Sequence, residues 1–128
     1  MILLDTCVLF WIEAEPAKIS ETAKRALMDP AALLHASAIS AFELGLKVRD
    51  GALGLPLPTG DWVRAVCSRR GIRLLPLDEQ AAALSTQLPL LHRDPCDRFL
   101  IATAQVGRMA IVTPDAQIGR YPSVRAIW

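Results

Sequence analysis

Short apolar runs alternate with amphipathic stretches along nearly the whole chain, and this alternation limits the possible folds more than any other feature. The first run, Ile2 to Leu4, ends directly on a carboxylate, Asp5. It reads as a strand covered on both faces, because a strand with one wet face would alternate apolar and polar residues. A short helix or turn follows through Val8 to Ile12 until Glu15 and Pro16 break the pattern. Ser20 caps a helix through about Met28, with Ala23, Ala26 and Leu27 at helical spacing and Asp29-Pro30 as its stop. Ala32 to Ala36 reads as a second strand. Ser37 or Ser40 caps the next helix, in which Phe42, Leu44, Leu46 and Val48 supply apolar surface before Asp50-Gly51.

Residues 54–60 hold two prolines and two glycines and read as a loop. Asp61 caps a third helix through Arg70, carrying Trp62, Val63, Val66 and Cys67 and stopped by Gly71. Ile72 to Leu77 is the third strand, interrupted by Pro76, and Asp78 caps a helix from Glu79 to about Leu88. Asp94-Pro95 opens a helix through Val106 with Gly107 as its stop. Met109 to Val112 and Val124 to Trp128 are the last two strands. Strands separated by helices pair in parallel and place those helices on both faces. The expected fold is therefore α/β, a three-layer α/β/α sandwich around a mostly parallel sheet.

Composition agrees with one domain spanning 1–128. A second core would leave each half of a 128-residue chain marginal, and 52% hydrophobic against 21% charged residues is ample material for one core. No basic segment precedes a long apolar one, and no uncharged stretch nears the roughly 20 residues that span a bilayer. A cytoplasmic location without membrane attachment is expected. Cys7, Cys67 and Cys96 are odd in number and form no CxxC pair, which argues against a disulfide framework or structural zinc. Fourteen basic and thirteen acidic residues give a net charge of +1, so total charge selects no partner. Arg64, Arg69, Arg70 and Arg73 crowd the middle, and Arg93, Arg98, Arg108, Arg120 and Arg125 are scattered through the last third. These read as solvated helix faces unless a groove gathers them.

The chemistry lies in the acids. Asp5 follows the first strand, Asp97 falls in the first turn of a late helix, and Asp115 follows the fourth strand. In an open α/β sheet these positions share one rim, where ligands collect. Glu43 joins them if its helix crosses the same end. Carboxylates brought within a few Å repel one another unless protonated or bridged by a hard cation, so such a cluster predicts Mg2+ or Mn2+. Structural alternatives stand beside each residue. Asp5 could accept backbone hydrogen bonds in a turn, Glu43 could pair with Lys47, and Asp97 could belong to a capping box. Asp94 before Pro95 reads as an N-cap more than a ligand. Asp115 could cap Ala116 to Ile118, with Thr113 holding it through its hydroxyl.

Other chemistries find little support. His35 and His92 lack a second histidine at ligand spacing and read as structural. There is no phosphate-binding glycine loop. Cys7 lies beside the acidic rim, where neighbouring carboxylates would raise its pKa and blunt it as a nucleophile. Trp11 and Trp62 read as packing or interface residues.

Several segments resemble the PIN-domain ribonucleases, specifically the VapC-type toxins of bacterial toxin–antitoxin pairs. Leu3-Leu4-Asp5-Thr6 resembles the opening motif of that family, and Ser40 with Glu43 resembles its second. His92-Arg93-Asp94-Pro95-Cys96-Asp97-Arg98 with Leu100-Ile101-Ala102 is similar to its most distinctive segment, and Val112-Thr113-Pro114-Asp115 to its last acidic motif. The resemblance implies a homodimer that cleaves RNA with magnesium or manganese and is neutralised by a small cognate antitoxin. It implies that Asp5, Glu43 and Asp97 are the principal metal-binding carboxylates and Asp115 a fourth. Thr6, Ser40, Asp94 and Thr113 would support them, and Arg98 would approach the rim or the substrate. Cys7 and Cys96 depart from the residues common at those places. The rival expectations are a nuclease acting on DNA or structured nucleic acid, a non-catalytic regulatory domain whose acidic groove holds a basic peptide, and a receiver-like domain. The last lacks a convincing lysine near the C-terminal strands.

Overall fold

Five strands form one sheet in the order β3-β2-β1-β4-β5, and every neighbouring pair is parallel. In the computed structural model, which describes residues 1–128, they are β1 (Ile2–Leu4), β2 (Leu34–Ser37), β3 (Arg73–Leu75), β4 (Ala110–Val112) and β5 (Ala126–Ile127). Six helices connect them: α1 (Thr6–Ala14), α2 (Glu21–Met28), α3 (Ala38–Arg49), α4 (Thr59–Arg70), α5 (Glu79–Ser85) and α6 (Pro95–Gly107).

Consecutive strand residues point to opposite faces, and both faces are covered. Ile2, Leu4, Ala36 and Val112 contribute to one core with Val8 and Leu9 of α1, Leu44 of α3 and Trp62, Val63 and Val66 of α4. Leu3 and Ile111 belong to a second core with Ala81 of α5 and Leu100, Ile101 and Ala104 of α6. Leu3 and Leu4 are both wholly buried, which is why this strand shows an unbroken apolar run. No helix is long and apolar enough to cross a membrane.

The strand order also fixes where a site can form. From β1 the chain steps outward through β2 to β3, then returns to place β4 and β5 on the other side of β1. That reversal leaves a crevice at the carboxyl ends of β1 and β4, where no crossover covers the sheet.

Most element boundaries lie within a few residues of those the sequence suggests, and the departures have local causes. The first helix begins at Thr6 because Asp5 is its N-cap, accepting a hydrogen bond from the Thr6 amide. Ser37 caps α3 through the Ile39 amide at 3.1 Å, leaving Ser40 inside the helix and wholly buried. Asp61 is not a cap. The fourth helix starts at Thr59 directly after Pro58, and Asp61 sits in its first turn paired with Arg64 at 2.7 Å. With Pro58 at the N-cap, Asp61 is the third helical residue, and its negative charge suits the positive end of the helix dipole. β3 ends before Pro76, which has no amide to give the ladder, and β5 spans only two residues. α5 stops at Ser85, where the hydroxyls of Ser85 and Thr86 bond back to the carbonyls of Ala82 and Ala83.

At the far end of α6, Arg108 takes the left-handed conformation with φ 52°, the only non-glycine residue with positive φ. Helices usually end on glycine at such a position, and an L-residue with a Cβ loses roughly 1–2 kcal/mol by adopting it. Gly107 falls one residue too early to serve, and a Cβ there would collide with the Met109 side chain.

Candidate functional site

The Asp5 amide donates to the Val112 carbonyl at 3.1 Å, which extends the β1–β4 pairing by one step and sets the Asp5 carboxylate at the crevice. Its Oδ1 accepts from the Thr6 amide at 2.6 Å and its Oδ2 from the Thr113 hydroxyl at 2.6 Å. The Thr113 oxygen in turn accepts from the Asp115 amide at 3.1 Å. One hydroxyl at the end of β4 thus ties together two of the acids.

Thr6 does the same on the other side. Its hydroxyl donates to Glu43 Oε1 at 2.7 Å and lies 2.9 Å from the Ser40 hydroxyl. Thr6 has one proton and the carboxylate can only accept it, so Ser40 is the donor to Thr6. Ser40 and Glu43 are three residues apart on α3, which puts both on the face that meets α1. No ion pair joins Glu43 to Lys47, and its Oε2 has no protein partner. Asp97 lies in the first turn of α6. It makes no capping hydrogen bond, whereas Asp94 Oδ1 accepts from the Cys96 amide at 2.9 Å as the cap.

These carboxylates share one electrostatic environment. Burial pushes the Asp5 carboxyl above its ordinary value of 3.8; the Thr113 and Thr6 hydrogen bonds oppose the rise and the Asp115 charge adds to it. Burial likewise raises Glu43 from 4.5, helped by the charges of Asp5, Asp97 and Asp94 against the Thr6 hydrogen bond. Asp97 is raised by burial and then by the charges of Asp94, Asp5 and Asp115, with His92 opposing them. None of Asp5, Glu43 and Asp97 has a cationic side chain in ion-pairing range. Acids elsewhere do: Glu15 pairs with Lys18, Glu21 with Lys24, and Glu13 with both Arg69 and Arg70.

Hard oxygen donors that raise one another's pKa and lack an internal counter-charge suit a hard divalent cation. The side chains do not close into a ligand shell, since no three of them gather as the ligands of a held ion would. An open rim of that kind fits magnesium or manganese, which keep several waters and take one or two carboxylates together with substrate oxygens.

A stability effect follows from these directions. An acid whose pKa is higher in the folded than in the unfolded protein binds protons more tightly when folded, so its contribution to stability is lost as pH rises from the ordinary carboxylate value through the folded one. Without divalent ions, urea unfolding should show this loss beginning at about pH 4, and Asp5→Asn should flatten it. The opposite effect, from Asp115, lies below pH 3.8.

Asp115 is held differently. Partial burial pushes its carboxyl up, but the His92 hydrogen bond and the Gln117 amide outweigh that and leave it below the usual range. His92 Nε2 lies 2.7 Å from Asp115 Oδ2 and Nδ1 lies 2.8 Å from the Tyr121 hydroxyl, with the two rings stacked. The sequence reading gave His92 only a structural place in a loop and missed this contact. Asp115 and Tyr121 are 23 and 29 residues away, and no local pattern links them. His35 is buried with Nδ1 3.0 Å from the Leu33 carbonyl, as its structural reading expects.

Arg98 departs most from expectation. It neither approaches the rim nor faces solvent. Its guanidinium is buried and donates to the carbonyls of Ser85, Leu88, Pro89 and His92 at 2.7, 3.0, 3.0 and 3.3 Å. The C-terminal end of α5 and the irregular segment after it leave these carbonyls without a helix or sheet ladder, Pro89 alone also accepting from the Leu91 amide, and the five-donor fork of an arginine can satisfy several at once. Because His92 is among the four, Arg98 acts on the site only through the segment that carries His92. Burial and the Asp5 charge push the Cys7 thiol up to about 12, which removes it as a nucleophile.

With this geometry in place, comparison with known proteins is specific. A family model described as "PIN domain" matches residues 2–124. The chain is 31% identical over 130 residues to Ribonuclease VapC22 of Mycobacterium tuberculosis, covering 99% of this chain and 98% of that one. Among solved structures, FitAcB from Neisseria gonorrhoeae superposes with a TM-score of 0.63 at 26% identity, covering 98% of this chain and 96% of that one. VapBC2 from Rickettsia felis, bound to a DNA fragment from its promoter, superposes with a TM-score of 0.68 at 13% identity, covering 98% and 97%.

Proposed function

The chain belongs to the PIN-domain family, and on that premise we propose that it is a metal-dependent endoribonuclease, the toxin of a toxin–antitoxin pair. The observation that carries the reading is the half-buried, cation-free set of Asp5 and Glu43, joined through Thr6, with Asp97 close enough for its charge to raise Glu43 and Asp115 close enough to raise Asp5, at the crevice between β1 and β4. The likeness to Ribonuclease VapC22 supports RNA as the substrate. Magnesium or manganese is the cofactor that this donor chemistry favours.

In this reading the rim of Asp5, Glu43, Asp97 and Asp115 would hold the metal through one or two carboxylates at a time, and a bound metal would polarise the scissile phosphate and make a water more acidic. The chain's own residues prepare the site before substrate arrives. Thr113 fixes one oxygen of Asp5 and the Thr6 amide fixes the other, and each oxygen keeps a lone pair that these bonds do not use. Thr6, backed by Ser40, fixes Glu43. A rim carboxylate that the metal leaves free, Glu43 or Asp97, would take the proton of the attacking water. His92 holds Asp115 from behind. Groups that orient a metal ligand contribute about 10–100-fold, so His92→Phe, which can keep the stack on Tyr121, should lower kcat/KM for RNA by that factor.

The test is cleavage of matched RNA and DNA by purified protein with magnesium, with manganese and with chelator. Metal-restored cutting of RNA alone is expected. Cutting that survives chelation, or that prefers DNA, contradicts the proposal. We further infer a homodimer in the cytoplasm neutralised by a small antitoxin. The VapBC and FitAcB neighbours support the partner, and exposed Phe42, Leu57 and Leu90 offer apolar surface for such contacts.

A further inference from the structure

The end of the sheet opposite the carboxylate rim holds a second charged feature that the proposed cleavage does not use. Met1, Ile2 and Ala110, at the starts of β1 and β4, line an open cleft of about 1070 Å³ together with Arg25, Arg108 and Arg125. Arg25 lies in the last turn of α2, Arg108 caps α6 and Arg125 directly precedes β5, so three elements deliver one guanidinium each. None of the three has a carboxylate in ion-pairing range, a state shared by Arg73, Arg93 and Arg120 but not by Arg49, Arg64, Arg69 and Arg70; what sets the three apart is that they line one cleft. Asp29, the acid on the cleft wall, turns Oδ1 to the Ala31 amide at 2.9 Å and pairs with no arginine.

Arg108 adds an independent observation. The chain holds an arginine in the left-handed conformation where glycine would sit without strain. Favourable interaction with a helix C-terminus accounts for a cation in the last turn, but it does not require that backbone. A strained position that aims a charged side chain into a shared cleft points to use.

We propose that this cleft binds phosphoryl groups through Arg25, Arg108 and Arg125. Guanidinium forks match phosphate oxygens, and the apolar floor of Met1, Ile2 and Ala110 accommodates the organic part of a nucleotide. The phosphoryl group comes either from a free nucleotide or from the RNA backbone beyond the cleavage point; the second source rests on the ribonuclease reading, and the first does not.

The experiment measures binding of ATP and of a 2′-O-methyl RNA oligonucleotide, which resists cleavage, to the full chain. Variants are Arg25→Gln, Arg108→Gly and Arg125→Gln, with Arg120→Gln as an exposed control outside the cleft. Arg108→Gly removes the backbone strain and should melt no lower than wild type, so lost binding in it cannot be ascribed to unfolding. Weakening of ATP binding by about tenfold in the cleft variants assigns a free nucleotide. Weakening of RNA binding alone, with the salt slope falling by about one per arginine, assigns the RNA backbone. Wild-type protein that binds neither probe, or an Arg120→Gln loss equal to that of the cleft variants, overturns the proposal. A protein that cuts no RNA yet binds ATP here would refute the ribonuclease reading and leave this one standing.

Discussion

Asp5→Asn is expected to yield a folded protein that no longer cuts RNA. Asparagine keeps the size of the side chain, and its carbonyl oxygen can still cap α1 at the Thr6 amide. The amide nitrogen then faces the Thr113 hydroxyl, which can rotate to accept it. What disappears is one negative charge from a cluster in which burial and neighbouring carboxylates already raise Asp5, Glu43 and Asp97. Removing a group that only orients a metal ligand costs about 10–100-fold, so removing the charge of a proposed ligand should cost more than 100-fold in kcat/KM. Metal-free stability at neutral pH should hold or rise, because repulsion is relieved. A variant that loses stability and activity together would make Asp5 a structural residue.

The second large effect concerns stability. Arg98→Ala should destabilise the protein by about 3 kcal/mol or more, since hydrogen bonds from a charged donor contribute roughly 1.5–3 kcal/mol each and are not additive. The carbonyls of Ser85, Leu88 and His92 lose the arginine donor at once, and Pro89 is left with only the Leu91 amide, at and just after the end of α5 where no ladder replaces it. For a chain of this size the melting temperature should fall by roughly 10 °C or more. Arg98→Lys should not restore it, because an ammonium is a point donor and cannot span carbonyls that surround a planar fork. Urea unfolding of both variants checks this, and a lysine variant as stable as wild type would show that charge alone suffices.

Arg98 also marks where the sequence stopped being legible. Family likeness placed it near the rim, but its acceptors lie 6 to 13 residues upstream in an irregular segment whose path no periodicity describes. The layered fold was readable because each strand is short, apolar and separated from the next by a helix. Asp5 and Asp115 stood out because strand ends of an α/β sheet share a rim, and Glu43 because it interrupts an apolar stretch. Their hydroxyl supports were less accessible. Thr113 and Asp5 are 108 residues apart, and only the β1–β4 pairing brings them to 2.6 Å. Ser37 and Ser40 were equally plausible caps until burial of Ser40 against Thr6 separated a capping serine from a supporting one. Asp61 looked like a cap because aspartate before an apolar face usually is, but the helix begins two residues earlier, at Thr59, and takes Asp61 into its first turn.

Titration of manganese into the metal-free protein, followed by calorimetry, measures what everything above depends on. Saturable binding is predicted for wild type, weakened at least about tenfold in each of Asp5→Asn, Glu43→Gln and Asp97→Asn. Wild-type protein that binds no manganese, or variants that bind it as tightly as wild type, would contradict the account.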